Sequence, residues 1–238
     1  MLYTLIMHEH ELSHRVERTR NRHSRAVYRD GAVVIRLARN LTTMEEHKHI
    51  EYLLRRMAPV IEKERTRTAI DPFRPLLDGE SRLDLTLGDG RMITFELSAG
   101  KRTKSQQTAT GWHITISPRI TRRSLHRYLW SLLAASEYDH LLALTESIDR
   151  ETFNTGFRGF RLRYMTSQWG SCSAHGNIVL NTALLMLPEP LLRYVITHEL
   201  AHRLHRNHGK RYWQTVERVL PAYKDLRSQM RKYRLCAL

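Results

Sequence analysis

The chain has 238 residues, 41% apolar and 26% charged; these proportions exclude wholesale disorder, and the length allows one substantial core or a main domain with a smaller appendage. Lys and Arg outnumber Asp and Glu by 39 to 24, a formal charge of +15, which favours anionic partners such as nucleic acid or nucleotides, although scattered Arg also serves to keep helix faces solvated. The two cysteines, Cys172 and Cys236, exclude a disulfide framework; the opening MLYTLIM is too short for a signal-peptide core and no stretch is long enough to span a bilayer, so a cytoplasmic location without a membrane partner is expected.

In chain order, Ala26 to Arg29 and Ala32 to Leu37 read as strands flanking Asp30-Gly31, a dipeptide suited to a tight hairpin turn. This hairpin is basic, with Arg18, Arg20, Arg22, Arg25, Arg29 and Arg36 in or beside it. Thr42 or Thr43, followed three residues later by Glu45 or Glu46, makes a capping box, and Ile50, Leu53, Leu54, Met57 and Ile61 then recur at helical spacing to about Glu64. Pro72, Pro75, Asp78 and Gly79 interrupt any regular element, which puts a boundary near residues 65 to 82. Residues 1–80 are therefore read as an N-terminal hairpin-and-helix region and residues 81–238 as the main domain, with a single compact unit as the alternative.

Leu83, Leu85 and Leu87 alternate before Gly88-Asp89-Gly90 and a second strand from Met92 to Leu97. Ser98 to Gly111 reads as polar loop, Trp112 to Ile116 as strand, and Leu125, Leu129, Leu132 and Leu133 mark a helix to about Leu144. Phe160 to Met165 and Asn177 to Asn181 are strand-like and joined by TSQWGSCSAHG, a hairpin leading into a helix that begins around Pro188 and Pro190 and runs through Leu204 or Arg206. Two further helices, Lys210 to Leu220 and Ala222 to Tyr233, turn about Pro221. The whole is α+β, with the helix from Pro188 packed on a small mixed or antiparallel sheet and the basic β-hairpin and helix preceding it.

Within the helix from Pro188 the sequence reads His198-Glu199-Leu200-Ala201-His202. Four residues are just over one helical turn, so both imidazoles project from one face and can chelate, while Glu199 is rotated by about 100°, out of the ligand shell but within reach of a metal-bound water. A catalytic zinc takes three protein ligands, and His208 lies six residues past His202 between Asn207 and Gly209, residue types that tolerate the left-handed backbone of a helix C-terminal cap. Zinc lowers the pKa of its water to about 7, and Glu199 would act as general base and then acid. Asn181, Tyr194, Arg211 and Tyr212 are unranked candidates for a polar transition-state contact. Iron, cobalt or nickel also suit imidazole ligands. His205 is a competing ligand that its helical position points away.

A short motif can arise by chance among 14 His, and His10-Glu11-Leu12-Ser13-His14 is a second formal match. It has Arg20 where the third His would stand and leads into a hairpin pattern, so it is read as no metal site.

Trp169-Gly170-Ser171-Cys172-Ser173, Gly176, Ile178 to Asn181, Val195 to His202, Asn207-His208 and Arg211-Tyr212-Trp213 together resemble the YgjP-like metallopeptidase family, a zincin group related to the SprT-like and WLM domains. The similarity is dense over about residues 157 to 235. It implies zinc ligands at His198, His202 and His208 and a catalytic Glu199; Arg203 and His205 stand where the family has small or hydrophobic residues. In zincins the substrate commonly pairs with an edge strand above the metal helix, and Asn177 to Asn181 is in sequence position to be that strand, with an ordinary sheet strand as the other reading. Ile178, Val179, Leu180 and Asn181, with Trp169, are thus candidate substrate residues, Trp169 having a packing role as its alternative. Cys172 reads as a small apolar residue and not as a nucleophile.

Three functions are carried forward. The first is zinc-dependent peptidase-type hydrolysis of protein or peptide; the second is hydrolysis of a nucleoside triphosphate, since family members include UTP pyrophosphatases; the third is non-catalytic nucleic-acid binding through the basic surface.

Overall fold

The computed structural model describes residues 6–7, 10–11, 14–29 and 32–236. The chain divides into two compact units, Met1–Thr68 and Ala69–Cys236. The Asp30-Gly31 turn lies outside the described residues, as do Leu12 and Ser13 of the upstream motif.

In the first unit, β1 (Ile6–Met7) and β2 (His10–Glu11) form an antiparallel pair. A three-stranded sheet follows in the order β3–β5–β4, from β3 (His14–Arg18), β4 (Arg25–Arg29) and β5 (Ala32–Leu37). The antiparallel β4–β5 pair is the expected basic hairpin, and β3 adds a parallel strand on its far side. Val33, Ile35 and Leu37 alternate inward along β5 and form a core with Leu53, Leu54 and Ile61 of α1 (Thr43–Arg65). The capping box forms as read: Thr42 Oγ1 accepts from the Glu45 amide while the Glu45 carboxylate accepts from the Thr42 amide at 2.8 Å. Much of the basic charge is paired locally, Arg18 on Glu46 and Arg15 and Arg36 on Glu17.

Next in the chain, β6 (Thr68–Ile70) pairs with the last strand of the chain. Pro75 does not prevent regular structure here: α2 (Arg74–Leu77) is a single turn with Pro75 in its first positions, where a missing N–H costs nothing. The second unit then builds a four-stranded sheet, β7–β8–β10–β9, from β7 (Arg82–Thr86), β8 (Met92–Ala99), β9 (Lys104–Gln107) and β10 (Gly111–Ile116). The segment expected as polar loop thus contains a strand, β9, antiparallel to β10, while β10 runs parallel to β8. Phe95 and Ile114 of this sheet share one core with Phe73 and with Leu129, Trp130 and Leu133 of α3 (Arg122–Thr152).

Beyond α3, β11 (Gly159–Arg163), β12 (Gly170–Cys172) and β13 (Asn177–Asn181) make a mixed sheet in the order β11–β13–β12. The expected hairpin between Phe160 and Asn181 is replaced by a parallel β11–β13 pair, because the intervening loop supplies β12, antiparallel to β13. A 3₁₀ turn, Thr182–Met186, leads to α4 (Glu189–Ala201), and α5 (Lys210–Val219), α6 (Tyr223–Met230) and β14 (Tyr233–Leu235) complete the unit. Helix α4 contacts α3, α5, α6, β12 and β13. It is buried nearly all round, which explains Leu191, Leu192, Val195, Ile196 and Leu200 in one helix. The α+β class, with the motif helix on a small mixed sheet, is thus the observed architecture. No described helix is long and apolar enough to cross a membrane.

Candidate metal centre

Helix α4 carries His198 and His202 one turn apart and ends sooner than its apolar pattern indicated, at Ala201. Amides of His202, Arg203 and Leu204 bond back to the carbonyls of Glu199, Leu200 and Ala201, a three-residue step that tightens the last turn. The turn is not made by left-handed residues: Gly209 is extended and Asn207 has no positive φ. This tight exit brings His208 back over the helix end.

One ring nitrogen from each of His198, His202 and His208 lies within 4.8 Å of the others. The Nε2 atoms of His198 and His208 are 3.0 Å apart, near the edge length of about 3.3 Å of a tetrahedron with zinc–nitrogen arms of about 2.0–2.1 Å. His202 Nδ1 faces the His205 carbonyl at 3.1 Å; since a carbonyl only accepts, Nδ1 is the donor and Nε2 keeps its lone pair for a metal. His205 itself is engaged with the Thr215 hydroxyl, outside the trio. The Tyr212 hydroxyl donates to the His198 carbonyl at 3.0 Å and is thereby committed to holding α5 on α4. His198 Nδ1 is buried with no hydrogen-bond partner among the described residues.

Burial, and then the neighbouring His202, His208 and Arg227, pull the His198 pKa down to about 3. His208 is lowered by the same kinds of cause, burial first. Crowded imidazoles kept neutral are the donor set a divalent transition metal needs, so the residues present fit zinc.

Glu199 is only 6% exposed, and burial pushes its carboxyl up to about 8. Its side chain lies across Gly170 on β12, where a Cβ would stand 2.7 Å from Oε1 and 2.8 Å from Cγ. Any side chain at 170 would therefore move the carboxyl group.

The candidate substrate residues fare differently. Strand β13 is hydrogen-bonded on both sides, so it is not an edge; the free edge beside α4 is that of β12. Ile178, Leu180 and Asn181 are fully buried and Val179 half-buried. Asn181 is a staple: its amide nitrogen donates to the carbonyls of Met165 and Gln168, and its side-chain oxygen accepts from the amides of Met165 and Ala183. This shapes the loop before Trp169, whose carbonyl accepts from Asn181 N at 2.9 Å and whose ring is half-buried against the core. Burial raises the Cys172 thiol pKa, which agrees with an inert cysteine. Tyr194 is buried with its ring centre 6.0 Å from that of His198.

Several residues at the centre escaped sequence reasoning. Trp213 stacks on His208, and the Arg227 guanidinium sits 4.7 Å from the centre of the Trp213 ring. Gly170 falls in a segment that reads as loop, and only the structure places it in a strand, where a glycine marks a close approach. Arg227, nineteen residues past His208 and on another helix, carried no signal.

Residues 21–233 match the model of the YgjP-like metallopeptidase domain family. Among solved structures the chain is similar to the crystal structure of the metallopeptidase zymogen of Pyrococcus abyssi abylysin, at 25% identity and a TM-score of 0.34, covering 39% of this chain and 99% of that one. No curated protein matches the chain. The match extends over nearly the whole sequence, basic hairpin and metal helix alike, and the chain belongs to the YgjP-like metallopeptidase domain family, a family of metal-dependent hydrolases.

Proposed function

We propose that the protein is a zinc-dependent peptidase in which His198, His202 and His208 hold one zinc ion and Glu199 carries the proton. The observation behind this reading is the convergence of three imidazoles, of which His198 and His208 are held toward the neutral form by burial, with a carboxyl group that burial has made basic enough to accept a proton near neutral pH. Zinc in that donor set supplies Lewis acidity, which polarises a carbonyl and acidifies a water. Glu199 takes the proton from the attacking water and delivers it to the leaving amine, a role suited by a pKa close to the working pH. Gly170 keeps the space that the carboxyl group occupies.

The unpaired edge of β12 receives the substrate backbone by strand addition, so Gly170, Ser171 and Cys172 take the role expected of Asn177 to Asn181. Asn181 and Trp169 support that edge from behind. A second reading, pyrophosphate release from UTP, is favoured by Arg227, whose charge acts on His198 and His208, and by Arg203 on the Gly176 turn, two guanidiniums with no carboxylate partner among the described residues.

The zinc-loaded full chain, assayed in parallel on unfolded protein and on UTP, separates the two. Peptide-bond cleavage lost on chelation and in Glu199→Gln is expected; pyrophosphate release without cleavage would replace the peptidase reading.

A further inference from the structure

The free edge of β12 runs between two ionisable side chains. At its start Gly170 touches the Glu199 carboxyl group, and the turn after its end reaches Gly176, which has a positive φ of 82°. A Cβ there would lie 2.4 Å from one terminal nitrogen of Arg203 and 2.6 Å from its Cζ, so the guanidinium rests flat on this turn because no side chain is present. Cys172, the last residue of β12, senses both: burial and then Glu199 raise its pKa, and Arg203 lowers it. Two strand residues span about 6.6 Å from Gly170 to Cys172, and the guanidinium lies beyond that end, against the Gly176 turn, so an extended peptide of a few residues laid along the edge leads from the carboxyl group toward the guanidinium.

Arg203 is half-buried, its Nε is buried without a hydrogen-bond partner, and no carboxylate pairs with it among the described residues. Elsewhere in the second unit the more exposed Arg91 pairs with Asp89 and Glu137 and Arg122 with Asp78, while half-buried Arg234 shares with Arg203 a buried Nε without a hydrogen-bond partner among the described residues. A partly desolvated guanidinium without an anion is unfavourable, and a carboxylate arriving with a ligand corrects it through paired, charge-assisted hydrogen bonds. Its place at the end of a strand edge favours an anion carried on an extended chain over a free one.

We propose that Arg203 is a specificity-determining residue that binds the side-chain carboxylate of an Asp or Glu in the substrate, a few residues along the β12 edge from the scissile bond. This rests on the peptidase reading above and adds the class of peptide. Arg203 acts on binding and takes no part in the proton transfers.

The test uses zinc-loaded full chain and quenched fluorescent peptides that carry Glu, Gln or Lys at each position flanking one cleavage site. Wild type is expected to prefer Glu over Gln at one position by about 10- to 100-fold in kcat/KM, mostly through KM. In Arg203→Gln that ratio should collapse to about one, in Arg203→Lys it should persist in part, and in Arg203→Glu the Lys peptide should become the better substrate. A purely structural role for Arg203 would not invert the charge preference. Cleavage with equal rates on Glu and Gln peptides in wild type, or a Glu preference that survives in Arg203→Gln, would overturn this inference alone. No cleavage of any peptide, with UTP turned over, would overturn the peptidase reading and this inference with it.

Discussion

His-Glu-x-x-His is written twice in this chain, at His10–His14 and at His198–His202, and the two places differ in the backbone that carries them. His10 and Glu11 lie in strand β2 and His14 opens strand β3, so the two histidines are not carried by one helix. His198 and His202 lie on a helix that is buried nearly all round, exits through a tightened last turn, and so receives a third imidazole from His208. Five residues of motif are therefore not the unit of function. The unit is the motif together with the helix, its early end and the glycine of the facing strand.

The largest effect that can break this comparison is loss of metal. Replacing His198, His202 or His208 by Ala is expected to abolish stoichiometric zinc in the purified chain and reduce hydrolysis to background, whereas His10→Ala leaves zinc content unchanged; elemental analysis of the four variants decides it. Next in size is Glu199→Gln, which should keep zinc but lower kcat by about 10²–10⁴-fold. Equal kcat in that variant would remove Glu199 from the chemistry.

Gly170→Ala should come third. Its Cβ would meet the Glu199 side chain at 2.7–2.8 Å, so a fall in kcat of about 10- to 100-fold with zinc retained is expected, since misplacement by about 1 Å costs on that order. Unchanged kcat would show that the carboxyl group tolerates displacement.

How far the sequence exposed this arrangement depended on whether a pattern was local. The capping box at Thr42, the strand Asn177–Asn181 and the imidazole spacing on α4 are contained in short windows and were legible. Helix α3 continues to Thr152, beyond the apolar repeat that marked it, because its buried face takes polar residues: Glu137 pairs with Arg91, and Asp149 accepts from Thr155 and Gly156. Partnered polar groups hide the period. Strands β6, β9 and β12 are three or four residues each, too short to show alternation, and the parallel pairings β3–β5 and β11–β13 are set by contacts between distant segments. The misassigned substrate edge follows from this: without β12, Asn177–Asn181 looked unpaired on one side.

The smallest effect is on stability, and pH controls its sign in the metal-free protein. The Glu199 carboxyl is raised from 4.5 to about 8 by burial, so between those values the unfolded chain has released a proton that the folded chain keeps. Folding is progressively disfavoured as pH rises through this window. Glu199→Gln should therefore be more stable than wild type above about pH 8, by at most about 5 kcal/mol, with no advantage near pH 4. His198, lowered to about 3, acts oppositely, disfavouring folding as pH falls below its ordinary 6.5 toward 3. Thermal unfolding of both chains without metal across this range would reveal either trend, and a variant advantage that grew toward acid pH would contradict the burial of Glu199.

X-ray absorption at the zinc edge of the purified full chain tests the central claim most directly. Three imidazole nitrogens and one further light atom at about 2.0–2.1 Å are predicted, with no sulfur. A sulfur shell near about 2.3 Å, which only Cys172 or Cys236 could supply, or fewer than three imidazoles, would contradict the convergence of His198, His202 and His208 on one ion.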